Sequence, residues 1–238
     1  MPLGVLSATA QASIAIFLLG MAYRLLRWAS SPLKGAHSTP LGLSGWAKVA
    51  WNVLLDLAFM RKAFRSNPTL GAATWFMHLS VLAILLGHMR AFGVWSAEAI
   101  PPSIRWIALG LVPTLLGLIL MALLLGLLAR RLARPMLRGL LSPRDALFYA
   151  LLLVGVAAGL SMRLLPHADA PLHWEVAPGI VLSLEHTPNI AAFTIHVVAM
   201  SALLAYLPFS PLIHVVSGIA SSAIYYRWRL VVHGGGAR

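Results

Sequence analysis

Four histidines stand inside apolar stretches of this 238-residue chain: His78 and His88, ten residues apart, and His196 and His214, eighteen apart. Neutral imidazole is a common metal ligand, and its ring nitrogen serves as an axial ligand of haem iron. Ionisable side chains at membrane depth are rare; they mark function or, singly, an interhelical hydrogen bond. Two on each of two apolar stretches fit a different task, the gripping of two haem irons, each between a pair of imidazoles. With both axial positions filled, neither iron has a place for oxygen or substrate, so the centres pass single electrons. The chemistry expected from these residues is transmembrane electron transfer through two haems b.

The remaining composition removes competing chemistries. There is no cysteine, which excludes disulfides, thiolate metal sites, Cys-ligated clusters and covalently attached haem. No Gly-rich phosphate loop, Ser-His-Asp arrangement or paired carboxylate site is present, so the chain does no substrate chemistry alone beyond quinone redox. The formal charge of +12 does not imply a nucleic-acid partner, because the basic residues sit at the ends of apolar runs rather than in an aromatic-studded tract.

The elements that must carry the histidines follow from hydropathy. The chain is 60% hydrophobic and 10% charged, too little charge to cover a soluble domain. The expected fold is all-α, a single membrane domain over residues 1–238 with five transmembrane helices. They lie near 3–23, 70–94, 104–128, 146–165 and 190–216, each long enough for a hydrocarbon core of about 30 Å at about 1.5 Å per residue. Fifteen of the eighteen basic residues fall on one side: Arg24 to Arg65, Arg130 to Arg144, and Arg227, Arg229 and Arg238. The other side holds Arg90, Arg105 and Arg163 with four of the six acids. The positive-inside rule then places the N-terminus outside and the C-terminus in the cytoplasm of a bacterial inner membrane. No positive residue precedes the first apolar run, so that run reads as a retained helix rather than a signal peptide. Residues 44–64 interleave Trp46, Trp51, Leu55 and Phe59 with Lys48, Asp56, Arg61 and Lys62, the pattern of an amphipathic helix in the cytoplasmic interface. A loose tail is expected from Gly234.

Orientation sets the pairing. The second and fifth spans run in opposite directions, which brings His88 opposite His196 near the outer face and His78 opposite His214 near the inner face. Ten residues of helix rise about 15 Å and eighteen about 27 Å, so straight rods would mismatch by roughly 12 Å. Pro208 and Pro211 lie between His196 and His214, and a helix break at 207–211 is expected to absorb the difference.

Two stretches carry a family likeness. One runs from Trp75-Phe76-Met77-His78 to Leu86-Gly87-His88, the other from His196 to Leu207-Pro208-Phe209-Ser210-Pro211-Leu212-Ile213-His214. With the five-span layout they resemble the respiratory nitrate reductase gamma-subunit family, which includes the cytochrome b subunit of sulfite-reductase-associated membrane complexes. The resemblance covers most of the chain from Leu70 onward. It implies a two-haem membrane anchor exchanging electrons between quinol and a cytoplasmic iron–sulfur partner, with the quinol site beside the outer haem. The long first connection, 24–68, looks more like the sulfite-reductase-associated branch, whose partner resembles a heterodisulfide reductase subunit, than like an anchor for a nitrate reductase beta subunit. In that branch electrons could run in either direction.

Several further residues enter with two readings each. Gly87 matches a family glycine beside the ligand, and serves either a ring's approach to the backbone or close helix packing. Arg105 approximately matches a basic family residue that contacts quinone; the alternative is a solvated interface charge. Arg90, near His88, suits a propionate of the outer haem, and Arg130 and Arg131 one of the inner haem, since guanidinium matches carboxylate; their role in setting topology explains them as well. His167, His173 and His186 stand near Asp169, Glu175 and Glu185 in sequence; one reading is a proton-release path or a metal site, but the spacing fits no zinc pattern, and the reading preferred is a solvated outer loop. His37 and His233 read as solvent-facing. The competing function is a haem-free transporter or assembly anchor whose histidines relay protons; only the fifth span looks broken, against the paired breaks of many transporters. A four-span cytochrome b of hydrogenase or formate dehydrogenase type does not fit the span count.

Overall fold

The computed structural model describes residues 3–30, 41–210 and 214–233. It is mostly helical: α1 (Leu3–Ala29), α2 (Leu43–Phe59), α3 (Arg61–Ser66), α4 (Pro68–Ala91), α5 (Pro102–Trp106), α6 (Val112–Ala133), α7 (Pro135–Gly139), α8 (Pro143–Leu164), α9 (Ile190–Tyr206) and α10 (His214–His233). A π-helical turn, Ile107–Leu111, joins α5 to α6. Among the described residues, five helices are long and apolar enough to cross a membrane: Leu3–Trp28, Pro68–Ala91, Pro102–Ala133, Pro143–Leu164 and Ile190–Phe209. Only 11–33% of the most apolar window of each is buried within the chain. Apolar surface on that scale needs lipid to cover it, and the protein is multi-pass.

The span ends follow local chemistry. Asn67 Oδ1 accepts from the Leu70 N–H at the head of α4. Ser142 caps α8 and its N–H is answered by Asp145 in a capping box, so that span starts three residues earlier than hydropathy suggests. At the other end of α4 the helix stops at Ala91, not Val94. Gly93 takes φ +72°, and the Gly93 and Val94 N–H groups return to the Arg90 and Met89 carbonyls.

The fifth span differs from expectation. It ends at Tyr206, followed by a 3₁₀ turn at Leu207–Phe209, and Ser210 is extended. Pro208, with no N–H to give and a ring that would strike the preceding turn, cannot continue α9. His214 therefore does not share a helix with His196; it opens α10, a separate helix of 20 residues. The break falls where the prolines put it, but the span expected to reach residue 216 does not. Helix α10 runs to His233. Gly234 onward, Pro211 and His37 lie outside the described residues.

Strict all-α character also fails. The connection after α8 contains an antiparallel hairpin, β1 (Leu172–Ala177) and β2 (Ile180–Leu184), turning at Pro178-Gly179. The alternation in Leu172-His173-Trp174-Glu175-Val176 buries Trp174 and Val176 and exposes the residues between them.

By contacts the chain forms two compact units, Met1–Leu19 with Phe76–Ser210, and Gly20–Trp75 with Pro211–Arg238. In the first, Trp174, Val176, Phe193 and Val197 enclose Leu6 and Ala10 of α1. Trp174 meets Phe193 edge to face at 5.5 Å and donates from Nε1 to Ser7 Oγ, which itself donates to the Glu175 carbonyl. The hairpin thus ties the start of α1 to the start of α9. In the second unit, α2 packs on α10. Residues 44–64 are not one helix: Met60 takes φ 44° and separates α2 from α3. Just beyond that break Arg61 binds the Asp56 carboxylate, and the Tyr226 hydroxyl of α10 donates to Asp56 Oδ2 at 2.6 Å.

Candidate functional site

His88 sits in the last turn of α4, and His196 two turns into α9. Their rings face one another with centroids 6.1 Å apart and planes 17° apart. Metal–imidazole nitrogen bonds of about 2.0–2.1 Å put two rings on opposite sides of one ion with centroids roughly 6.4 Å apart. The observed separation is within a few tenths of an ångström of that.

The second ring nitrogens are both committed. His88 Nδ1 lies 2.7 Å from the Ile84 carbonyl on its own helix, and His196 Nδ1 lies 2.8 Å from the Gly155 carbonyl of α8. A carbonyl only accepts, so each Nδ1 carries the proton and donates it. Each Nε2 is left with its lone pair for a metal. Two imidazoles so prepared at this separation fit a group ligated from both faces.

The helices that set His196 meet through glycines. A Cβ at Gly159 would lie 3.2 Å from His196 Nδ1, and one at Gly155 would lie 2.6 Å from Met200 Sδ. The pair forms Gly155-Val156-Ala157-Ala158-Gly159, a small-residue motif that lets α9 approach α8 closely. This support is legible in the sequence as a glycine spacing of four within the fourth span. Gly87 behaves differently. A Cβ there would meet nothing within 4 Å, so close packing among the described residues does not explain it and the space beside His88 is open.

His78 lies on the same helix as His88, half-buried; the side chain of His214, its expected partner, is outside the described residues. Gly87 and His88 are further fixed by Trp95, whose Nε1 folds back to the Leu86 carbonyl.

The basic residues occupy distinct settings. Arg90 pairs with Glu185 of the hairpin connection. Arg105 donates from Nη2 to the Ile100 carbonyl, while its Nε is buried and has no hydrogen-bond partner among the described residues. A buried donor without an acceptor costs about 1–3 kcal/mol, so an acceptor arriving there is favoured. Arg105 stands two residues before the π turn, a device frequent at functional sites. Sequence reading missed both that turn and Arg163, which donates from α8 to the Leu109 carbonyl inside it. Glu98, one turn before α5, is within electrostatic reach of Arg105 and Arg90. A side-chain bond from Ser96, then one from its own backbone, hold its carboxyl below the usual range. Arg131 is occupied by Asp145 and the Leu140 carbonyl, bracing the turn between α6 and α8. Arg130 makes no hydrogen bond or ion pair with the described residues.

The sequence profile of the nitrate reductase gamma subunit family matches residues 62–233. An "Hdr-like menaquinol oxidoreductase cytochrome b-like subunit" of Archaeoglobus fulgidus is 26% identical, the alignment covering 85% of this chain and 73% of the relative. A protein of the same description from Archaeoglobus profundus is also 26% identical, over 84% and 72%. No solved structure matches.

Proposed function

The chain belongs to the nitrate reductase gamma subunit family, and from that premise we propose that it is the dihaem cytochrome b subunit of a membrane oxidoreductase, moving electrons between quinol and a cytoplasmic iron–sulfur partner. The observation that carries the proposal is the His88–His196 pair, with both Nδ1 atoms bound to backbone carbonyls and both Nε2 atoms left to ligate. The relatives' description as cytochrome b-like subunits supports an electron-transfer role in the membrane.

In this reading His88 and His196 hold an outer haem b and His78 and His214 an inner one, the two units working as a single membrane domain. Bound there, the haems supply reversible one-electron transfer. The chain's own residues do the rest. The Gly155 and Ile84 carbonyls fix each ring's tautomer and aim. Gly87 leaves the backbone beside His88 accessible. The Arg105 guanidinium, with Nε unsatisfied, offers a donor to a quinone oxygen. Arg90 turns from Glu185 to an outer propionate, and Arg130 is available to an inner one. Arg131, held by Asp145, contributes through the turn it braces.

The topology proposed has the N-terminus outside and the C-terminus in the cytoplasm of the bacterial inner membrane, with the hairpin outward. Quinol is then oxidised near the outer face, protons leave there, and electrons cross inward. The paired α2 and α10 form the face for the partner, of heterodisulfide-reductase-like kind in keeping with the relatives' "Hdr-like" description; α2 lies in the cytoplasmic interface.

The test is spectroscopic. His88→Ala and His196→Ala should each remove the same component of the dithionite-reduced minus oxidised spectrum, and His78→Ala and His214→Ala the other. A purified protein with no b-type band, or His88→Ala and His196→Ala removing different components, sinks the proposal.

A further inference from the structure

The connection between α8 and α9 holds a second constellation, remote in role from electron transfer. We infer that His167, Asp169 and His186 form a binding site for one divalent transition-metal ion of borderline softness, of which zinc is the type. One ligand atom from each of the three side chains lies within 4.8 Å of the other two. The imidazoles of His167 and His186 have centroids 5.1 Å apart, and His186 Nδ1 is 3.6 Å from Asp169 Oδ1.

The backbone explains why the three converge. Ala168 and Thr187 form an antiparallel bridge, exchanging N–H···O bonds of 2.9 and 3.0 Å, and Thr187 Oγ1 adds a bond of 2.8 Å to the Ala170 carbonyl. In that register Asp169 stands directly opposite His186, and His167 diagonally from it. Residues flanking a bridged pair point to the face opposite the pair itself, so all three side chains emerge together. The bridge closes the base of the hairpin, which is itself anchored on α1. The ligand positions are thus fixed by backbone bonds rather than by contacts among the ligands.

The donor set decides the metal class. Two imidazoles and one carboxylate match the three-ligand zinc sites that keep a coordination position open. Calcium and magnesium prefer oxygen throughout and are poorly served by two nitrogens. At a tetrahedral ion with bonds of about 2.0–2.1 Å, ligand atoms sit about 3.3 Å apart. Closing from 4.8 Å or less needs only rotation about side-chain torsions. The three residues are exposed, so an ion reaches them from solvent. No zinc spacing is legible in the sequence because the ligands come from both ends of the connection, seventeen residues apart. The site also adjoins Glu185, the partner of Arg90, which lies two residues beyond His88.

The experiment uses the full-length protein in detergent, without a polyhistidine tag, stripped with EDTA and titrated with ZnCl₂ by calorimetry. One zinc per chain is expected in the wild type. His167→Ala, His186→Ala and Asp169→Asn should each weaken binding by at least about tenfold, as loss of even an outer-shell partner costs about 10–100-fold. His173→Ala, on the hairpin but outside the cluster, should bind like the wild type. Circular dichroism and the haem difference spectrum should be unchanged in all four, showing that the fold persists. Absence of a saturable one-to-one event, or affinity undiminished in both His167→Ala and His186→Ala, would overturn the assignment. The result does not depend on the haem proposal, since zinc binding is read directly.

Discussion

On the proposed ligation, Gly159→Val should strip the haem assigned to His88 and His196 while sparing the one assigned to His78 and His214. An added Cβ at position 159 would sit 3.2 Å from His196 Nδ1 and 3.3 Å from Cε1. Alanine at this position asks the ring to yield by a few tenths of an ångström. Valine's two methyls reach about 1.5 Å beyond Cβ, into the ring's own volume, so the imidazole must rotate away. Rotation breaks the 2.8 Å bond to the Gly155 carbonyl and turns Nε2 off the line to His88. Loss of an outer-shell partner alone costs about 10–100-fold in metal affinity, or roughly 1.4–2.7 kcal/mol; loss of aim removes the ligand altogether. Gly159→Ala should therefore retain the haem with affinity reduced by up to about tenfold. The valine variant should fall from two haems per chain to one. Pyridine haemochrome per mole of protein gives the count, and redox potentiometry shows which component is missing. Gly126→Val is the control, because a Cβ there meets nothing within 4 Å. Two haems with unaltered potentials in Gly159→Val would refute the placement of His196 as an axial ligand against α8.

Arg105→Leu should raise the KM for a soluble quinol analogue by roughly tenfold, the worth of one hydrogen bond from a charged donor, with the haem spectrum unchanged; an unaltered KM would return Arg105 to the role of an interface charge. Asp56→Asn should loosen α2 from α10. Burial alone would raise the Asp56 pKa, but the Tyr226 hydroxyl, Arg61 and Lys62 outweigh it and hold the carboxyl below its ordinary 3.8. A depressed folded pKa means that the contribution, about 1.5–3 kcal/mol for a charged hydrogen bond, is complete above pH 3.8 and lost as acid passes the lower folded value. Thermal unfolding against pH, wild type beside variant, should show the gap between them close only in that acid range.

What the sequence made legible was what periodicity and composition control. The second and fourth spans are placed to within three residues at each end, and the first and third run five residues further than expected, to Trp28 and Ala133; their existence is legible because lipid imposes a length and an apolarity that no other environment asks. The His88–His196 pairing could be reached from the alternation of charged connections alone, and Pro208 announced the break after α9 through its missing N–H. Features set by contacts between distant segments were not legible. The hairpin at 172–184 has the alternation of a strand, but its short apolar face gains meaning only once Leu6 and Ala10 of α1 lie beneath it. Glu185 is unremarkable in sequence; ninety-five residues from Arg90, it becomes that side chain's partner only when the chain is folded. Likewise His167 and His186 belong to no local motif, and a single backbone bridge at Ala168 brings them together.

The small angle between the His88 and His196 imidazole planes, 17°, would carry an electronic consequence for a haem held between them as proposed. Aligned ligand π-orbitals overlap with one of the two near-degenerate iron d-orbitals and leave the other untouched. Low-spin ferric iron gripped in this way should give a rhombic EPR spectrum with three resolved g-values. Crossed planes would instead yield one highly anisotropic, low-field feature. Frozen-solution EPR of the oxidised protein thus reads the rotation of His88 about His196 without any mutation.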